Sequence, residues 1–159
     1  MSVDTSVIGR PTGAWRVTLE RSVLANFAAA VGDGSTVYRS KRAPAPPTFT
    51  FAAPYWSGLS CDEQPPDPTA GAGNPMHSLM GALHAQGALV LHGEQEFEYH
   101  RTPVAGDVLD GVQTITDVYE KDSDTAHMTF VVMETQWTDA RDGSPVVTER
   151  FNLIARIKR

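Results

Sequence analysis

With 159 residues, 41% of them hydrophobic and 20% charged, the chain is long enough and apolar enough for one globular domain, which excludes a disordered polymer. Its formal net charge of -6 is spread without acidic or basic blocks, so the basic stripe of a nucleic-acid binder is excluded. No apolar run approaches the roughly 18–20 residues that span a bilayer, Met1–Gly13 lacks a secretory signal, and the lone Cys61 cannot form an internal disulfide, so a cytoplasmic protein is expected.

Trp15, Val17 and Leu19 alternate with polar residues and predict a short strand. Val23, Phe27, Ala30 and Val31 then fall at helical spacing, with Leu24 and Ala28 widening the stripe. Ser22 is the expected N-cap, and Gly32 is placed to end this helix in a left-handed conformation. Asp33 therefore stands just past a helix end, where a loop aims its side chain. Residues 39–75 read as an irregular Pro/Gly-rich insertion. It contains Ala43-Pro44-Ala45-Pro46-Pro47, an apolar run from Phe49 to Tyr55, Pro65-Pro66-Asp67-Pro68, and the mobile-looking tract Thr69-Ala70-Gly71-Ala72-Gly73. Loops this long inside a compact domain tend to be functional or disordered. Met76, Leu79, Met80 and Leu83 predict a helix of about three turns, with Asn74 as cap and Pro75 in the first turn.

From Glu94 onward the pattern is clearer. Phe97 and Tyr99 alternate with Glu96 and Glu98, and Thr102-Pro103-Val104-Ala105-Gly106-Asp107 makes a turn. Val108 to Tyr119 predicts a strand, Lys121-Asp122-Ser123-Asp124 its turn, and His127 to Trp137 a second strand with apolar residues on both faces. Asp142-Gly143 signals another hairpin turn before Val147, Phe151, Leu153 and Ile157. Consecutive hairpins mean an antiparallel sheet, since parallel neighbours need crossover helices. Both faces of the His127–Trp137 strand are expected to be covered, one by helices and the other by a partner chain.

The chain holds no internal repeat, phosphate-binding loop or dinucleotide fingerprint, and Ser57-Gly58 lacks the setting of a nucleophile elbow. One cysteine excludes a thiolate zinc site, so neither metal nor cofactor is expected. Arg39, Lys41 and Arg42 hint at a phosphate site but read first as a solvated loop.

The stretch Leu91-His92-Gly93-Glu94-Gln95-Glu96-Phe97-Glu98-Tyr99-His100-Arg101-Thr102-Pro103-Val104-Ala105-Gly106-Asp107 resembles the strand-turn signature of the MaoC-like dehydratase N-terminal family, whose members resemble the dehydratase module of fungal fatty-acid synthase. Phe27-Ala28-Ala29-Ala30-Val31-Gly32-Asp33 is similar to that family's first helix and its Gly-Asp. Ala45-Pro46-Pro47-Thr48-Phe49 is similar to the entry into its central segment. The resemblance covers the chain from Trp15 onward. It implies an α+β hot-dog fold, an antiparallel sheet wrapped around a central helix, with residues 1–159 as a single such domain. It also implies working pairs of domains, as a homodimer or as a heterodimer with a second MaoC-like domain.

The (R)-specific enoyl hydratases of this superfamily carry Gly-Asp-x-Asn-Pro-x-His after the first helix. Their aspartate and histidine hold a water over the β-carbon, and backbone N–H groups stabilise the thioester oxyanion. Here the stretch reads Gly32-Asp33-Gly34-Ser35-Thr36-Val37-Tyr38: the Gly-Asp is kept and a phenol, a poor neutral-pH base, stands in place of the histidine. Asn74-Pro75-Met76-His77 fits the second half of the motif, but Ala72 stands where the aspartate would be, and helix-start chemistry explains it. His84 reads as a helix-face residue, and His100 and His127 as strand residues.

The candidate catalytic residues are Asp33 and His92, and the candidate substrate-binding residues are Tyr38, Pro47, Thr48, Phe49 and Gly93. The expected ligand is an acyl-CoA or acyl-ACP thioester, with no nucleic acid and no membrane. The resemblance and the missing histidine together imply the substrate-holding half of an (R)-specific enoyl-thioester hydratase or 3-hydroxyacyl-thioester dehydratase, with segment 39–73 as an altered channel wall. A self-sufficient homodimeric hydratase using Asp33 with His92 or His77, and a non-enzymatic acyl-CoA-binding module, remain open. A hot-dog thioesterase falls, because no Asp or Glu lies within Met76–Leu91.

Overall fold

A computed structural model describes residues 3–159. Five strands form one antiparallel sheet: β1 (Pro11–Thr18), β2 (Leu89–Tyr99), β3 (Val108–Ser123), β4 (Ala126–Asp139) and β5 (Pro145–Lys158), in the order β1-β3-β4-β5-β2. Helix α1 (Arg21–Ala30), the four-residue helices α2 (Phe49–Ala52) and α3 (Ser57–Ser60), and α4 (Pro75–Ala85) pack on the concave face. This is the expected α+β hot-dog architecture. None of the helices among the described residues is long and apolar enough to cross a membrane.

Local chemistry accounts for most of the elements. Helix α1 starts two residues earlier than Ser22 implies: Glu20 occupies the N-cap position and makes no side-chain capping bond. Its C-terminus follows the expectation. Gly32 is left-handed at φ 82, its N–H bonds the Ala29 carbonyl at 3.1 Å, and the Asp33 N–H bonds the Ala28 carbonyl at 2.8 Å. Asn74 caps α4 by accepting from the Met76 N–H at 2.9 Å, with Pro75 in the first turn, and Leu79 and Leu83 are buried one turn apart. Strand β3 runs on to Ser123, past the expected turn at Lys121, because Ser123 pairs with Ala126 and leaves only Asp124 and Thr125 as the loop. Along β4 the concave residues Thr129, Val131, Met133, Thr135, Trp137 and Asp139 are buried, while the residues between them are mostly half-buried on the convex face.

The insertion carries core rather than standing outside it. Ala43, Phe49 and Ala53 are buried with Val17, Leu24, Leu109 and Trp137 in one cluster. Phe49 stacks edge-on against Phe27, with ring centroids 5.3 Å apart. A second cluster, under α4, holds Leu79, Leu83, Ile115, Val131, Met133 and Ala155. After α3 the chain follows the outer edge of β1 as side-chain contacts. The Gln64 amide accepts from the Arg16 N–H at 2.9 Å and donates to the Arg16 carbonyl at 2.9 Å, as a neighbouring strand would. Ser60 Oγ takes the Thr18 N–H, and Asn74 Nδ2 donates to the Thr12 carbonyl. This edge is therefore closed to further strands.

Between the two apolar clusters runs a polar seam. Thr12 Oγ1 donates to Gln113 Oε1 at 2.8 Å, and Gln113 Nε2 donates to Thr135 Oγ1 at 3.2 Å. Thr135 joins Trp137 Nε1 and Thr50 Oγ1 in holding the Glu149 carboxyl, the latter two at 3.1 and 2.9 Å. Burial raises the Glu149 pKa, and the three donors only partly oppose it. A carboxyl whose folded pKa lies above its unfolded one costs stability once ionised, and that cost vanishes below the unfolded value. A Gln at 149 can accept from Trp137 and donate to Thr50. The variant Glu149→Gln is therefore expected to melt above the parent at pH 8, with the gap closing as pH falls towards 5. A gap independent of pH, measured by calorimetry, would show that folding does not raise the Glu149 pKa.

Candidate functional site

The motif that would carry hydration chemistry folds as a closed turn. Asp33 Oδ1 accepts from the Ser35 N–H at 3.0 Å, and Asp33 Oδ2 accepts from the Tyr38 hydroxyl at 2.9 Å. Tyr38 is buried in the short 3-10 turn Thr36–Arg39, whereas Asp33 is exposed. Burial first, then the bond to the Asp33 carboxylate, push the Tyr38 phenol above its ordinary pKa. A phenol that donates to the carboxylate and titrates above its usual range does not take a proton from water at neutral pH.

His92 lies elsewhere. Its ring sits 5.6 Å from Phe51 and 5.4 Å from Phe151, and those two phenyl rings meet edge-on at 5.1 Å. This trio joins β2, β5 and α2 on the concave face. Asp33 is bonded to Ser35 and Tyr38, and His92 packs with Phe51 and Phe151, so the two candidate catalytic groups make different sets of contacts.

The expected ligand contacts sort into several roles. Pro47 and Thr48 are exposed. Thr48 takes the left-handed conformation, φ 71 and ψ −3, which is an outlier for a β-branched residue, and its N–H bonds the Tyr99 hydroxyl at 3.3 Å. That reversal sends Phe49 into the core and leaves Phe51 in the trio with His92. Phe49 is only 1% exposed, and its ring is part of the core packing. A Cβ at Gly93 would lie 1.9 Å from Asn152 Oδ1 and 2.9 Å from Ile154 Cδ1, so the Asn152 and Ile154 side chains fill the space beside this glycine on the convex face.

The bulge beside Gly93 determines what shares the face of His92. Across β2 and β5, His92 pairs with Leu153 and Gln95 pairs with Phe151, so Gly93 and Glu94 together oppose Asn152. Strict alternation would place Gln95 on the face opposite His92. The extra residue returns it to the concave face with His92 and Phe97. Phe51, Gln95 and Phe151 are thus neighbours that the sequence reasoning did not single out; a glycine inside a strand pattern was the available signal for the bulge.

The signature's turn is held by ions. Arg101 bridges Asp107 at 2.5 Å and Asp139 at 2.8 Å, and Arg141 also pairs with Asp139 at 2.6 Å. Arg141 and then Arg101 hold the Asp139 carboxyl well below the usual carboxylate range. A separate cavity of about 320 Å³ lies between α4, the N-terminal turn and the far ends of β3 to β5. On its wall both ring nitrogens of His127 meet carboxylates, Asp122 at 3.0 Å and Glu120 at 3.1 Å, which raise its pKa. Among the described residues there is no cluster of His, Cys, Asp and Glu able to hold a metal ion.

The sheet, the concave helices and the MaoC-type signature define a hot-dog protein of the MaoC-like dehydratase class. The chain belongs to the family described as FAS1-like, dehydratase domain region, which it matches over residues 6–149. It is 32% identical to a UPF0336 protein of Saccharopolyspora erythraea, across 98% of this chain and 93% of that one. Its fold is similar to that of the HadBC (3R-hydroxyacyl-ACP dehydratase) complex of Mycobacterium tuberculosis, with TM-score 0.62 and 19% identity over 92% of this chain and 96% of that one. The ChsH1–ChsH2 complex of the same organism gives TM-score 0.68 and 16% identity over 92% and 87%. At those identities the likeness is one of fold.

The strain at Thr48 gives a test of the local geometry. Asn tolerates the left-handed region, so Thr48→Asn is expected to raise unfolding free energy by about 1 kcal/mol in urea. A loss of stability of similar size would mean that the threonine side chain, not the backbone reversal, is what the turn needs.

Proposed function

We propose that this chain is the substrate-holding half of an (R)-specific enoyl-thioester hydratase or 3-hydroxyacyl-thioester dehydratase, completed by a second MaoC-like domain that carries the catalytic aspartate and histidine. The observation that carries this reading is the Asp33–Tyr38 bond: the position that needs an imidazole base holds a buried phenol already spent on the aspartate. In hydration the partner's base takes a proton from water as the oxygen adds to the β-carbon. The α-carbon then receives a proton, with charge on the thioester oxygen stabilised by N–H donors.

The two sheet edges support a partner. The β1 edge is covered by Gln64, Ser60 and Asn74, whereas β2 pairs only with β5. Along β2, Leu89, Val90, Leu91 and Tyr99 are between 38% and 59% exposed, an apolar edge of the kind that adds a neighbouring chain. The aromatic trio faces the concave side next to this edge. It offers one wall of an acyl site, and the second domain supplies the other. The HadBC and ChsH1–ChsH2 structures are themselves complexes of two named components.

The test is hydration of crotonyl-CoA, followed by loss of the conjugated thioester absorbance, with this chain alone and with a co-expressed MaoC-like partner bearing the full motif. Turnover is expected only in the mixture. There Asp33→Asn should change the rate by less than about threefold, while loss of the partner's histidine costs about 10²–10⁴-fold. Val90→Lys should weaken co-purification. Turnover by this chain alone would sink the proposal.

A further inference from the structure

We infer that the convex face of the sheet pairs with the same face of a second copy of this chain, about a two-fold axis that sets the basic end of one patch over the acidic end of the other. The helices pack on the concave face, and the convex face is apolar along its middle. Met128, Phe130 and Val132 of β4 stand there beside Tyr119 of β3 and Ile154 of β5, all half-buried, with Leu91 of β2 41% exposed next to Ile154. The Tyr119 and Phe130 rings lie parallel with centroids 4.8 Å apart, and Lys121 Nζ sits over both, at 5.3 and 5.2 Å.

This patch has two ends of opposite sign. At one end Lys121 and Arg156 flank Met128, and among the described residues neither makes an ion pair. At the other, Glu96, Glu98 and Glu134 share the single cation Arg150, at 3.7, 3.9 and 2.7 Å, which leaves an excess of carboxylate. Asp117 lies between the ends, opposite Val132. A two-fold axis lying across the strands near Val132 stacks β5 on β5 and β3 on β3 with their directions reversed. Arg156 of one copy then stands over Glu98 and Glu96 of the other, because β2 neighbours β5, and Lys121 stands near Glu134. The other face-to-face arrangement, with the axis along the strands, sets Lys121 against Arg156 and is opposed by like charge. Between Met128 and Gln136 the strands β3, β4, β5 and β2 present about 600 Å² of sheet at the usual rise and strand spacing. Projecting side chains bring that near the roughly 800 Å² that each partner gives to a standard interface.

The experiment is sedimentation equilibrium of the full-length chain carrying Val90→Lys, which burdens the β2 edge so that the dimer left uses another face. A dimer that loosens with added salt is expected, and Phe130→Glu should make it monomeric. Arg156→Glu and Glu98→Arg, each a surface change, should each weaken association by about 10-fold or more. Combining the two should recover most of that loss, since the axis restores the pair twice. Melting temperatures check that every variant folds. A monomeric Val90→Lys chain, a dimer indifferent to Phe130→Glu and to the single charge reversals, or a double reversal no tighter than the single ones overturns the inference. Each of these leaves the hydratase-half reading standing, because that reading rests on the Asp33–Tyr38 bond and the β2 edge.

Discussion

Glu149 is the group on which the arrangement of this molecule depends. It is a carboxyl on the concave face, 3% exposed, with neutral donors around it and no cation among its partners. Removing one donor would leave a buried polar group short of a bond, which is far costlier than the bond itself is worth. Trp137 comes from β4, Thr50 from α2 and Thr135 from β4, so the carboxyl ties a four-residue helix to the two central strands. Helix α2 is too short to persist alone. Its position, and with it the opposed directions of Phe49 and Phe51, follows from this anchor and from the left-handed Thr48.

The seam through Glu149 also explains why the concave face has two lobes. On one side α1 and α2 cover Trp137 and Leu109, and on the other α4 covers Val131 and Met133. Polar side chains bridging strands β1, β3, β4 and β5 at this boundary keep the two helical layers from merging into one apolar mass. The aromatic trio of Phe51, His92 and Phe151 stands on the β2 side of this boundary, close to the open sheet edge. A long apolar ligand that enters from that edge would therefore meet rings first and the polar line next.

How much of this was legible in the sequence depends on the length scale of each signal. Helix α4 was legible because Asn74, Pro75 and the Leu79–Leu83 spacing are local and mutually consistent. The end of α1 at Gly32 and the β3 to β5 meander were legible for the same reason. Segment 39–73 was not, since helical runs of four residues show no period, and Gln64 imitates a strand with its side chain. At the site the Asp33–Tyr38 pairing could be suspected from the motif spacing. The face of Gln95 could not, because it depends on a bulge that only the register of β2 against β5 reveals. The packing of the Asn152 side chain against Gly93 was not legible either, since the two are separated by 59 positions in the chain.

The two departures from a self-sufficient hydratase belong together physically. A histidine held over a substrate needs an aspartate free to orient it and a water between them. Here the aspartate is occupied by Tyr38 and by the Ser35 N–H, so the turn is rigid and complete without a ligand. That end of the domain is packed: Tyr38 is buried, and Phe27 of the preceding helix meets Phe49 edge-on. The surface left to interact is at the opposite sheet edge, where β2 exposes its apolar residues and its unpaired backbone. The turn at Asp33 is thus closed by its own residues, while β2 keeps an exposed apolar edge whose bulge sets Gln95 on the face of His92.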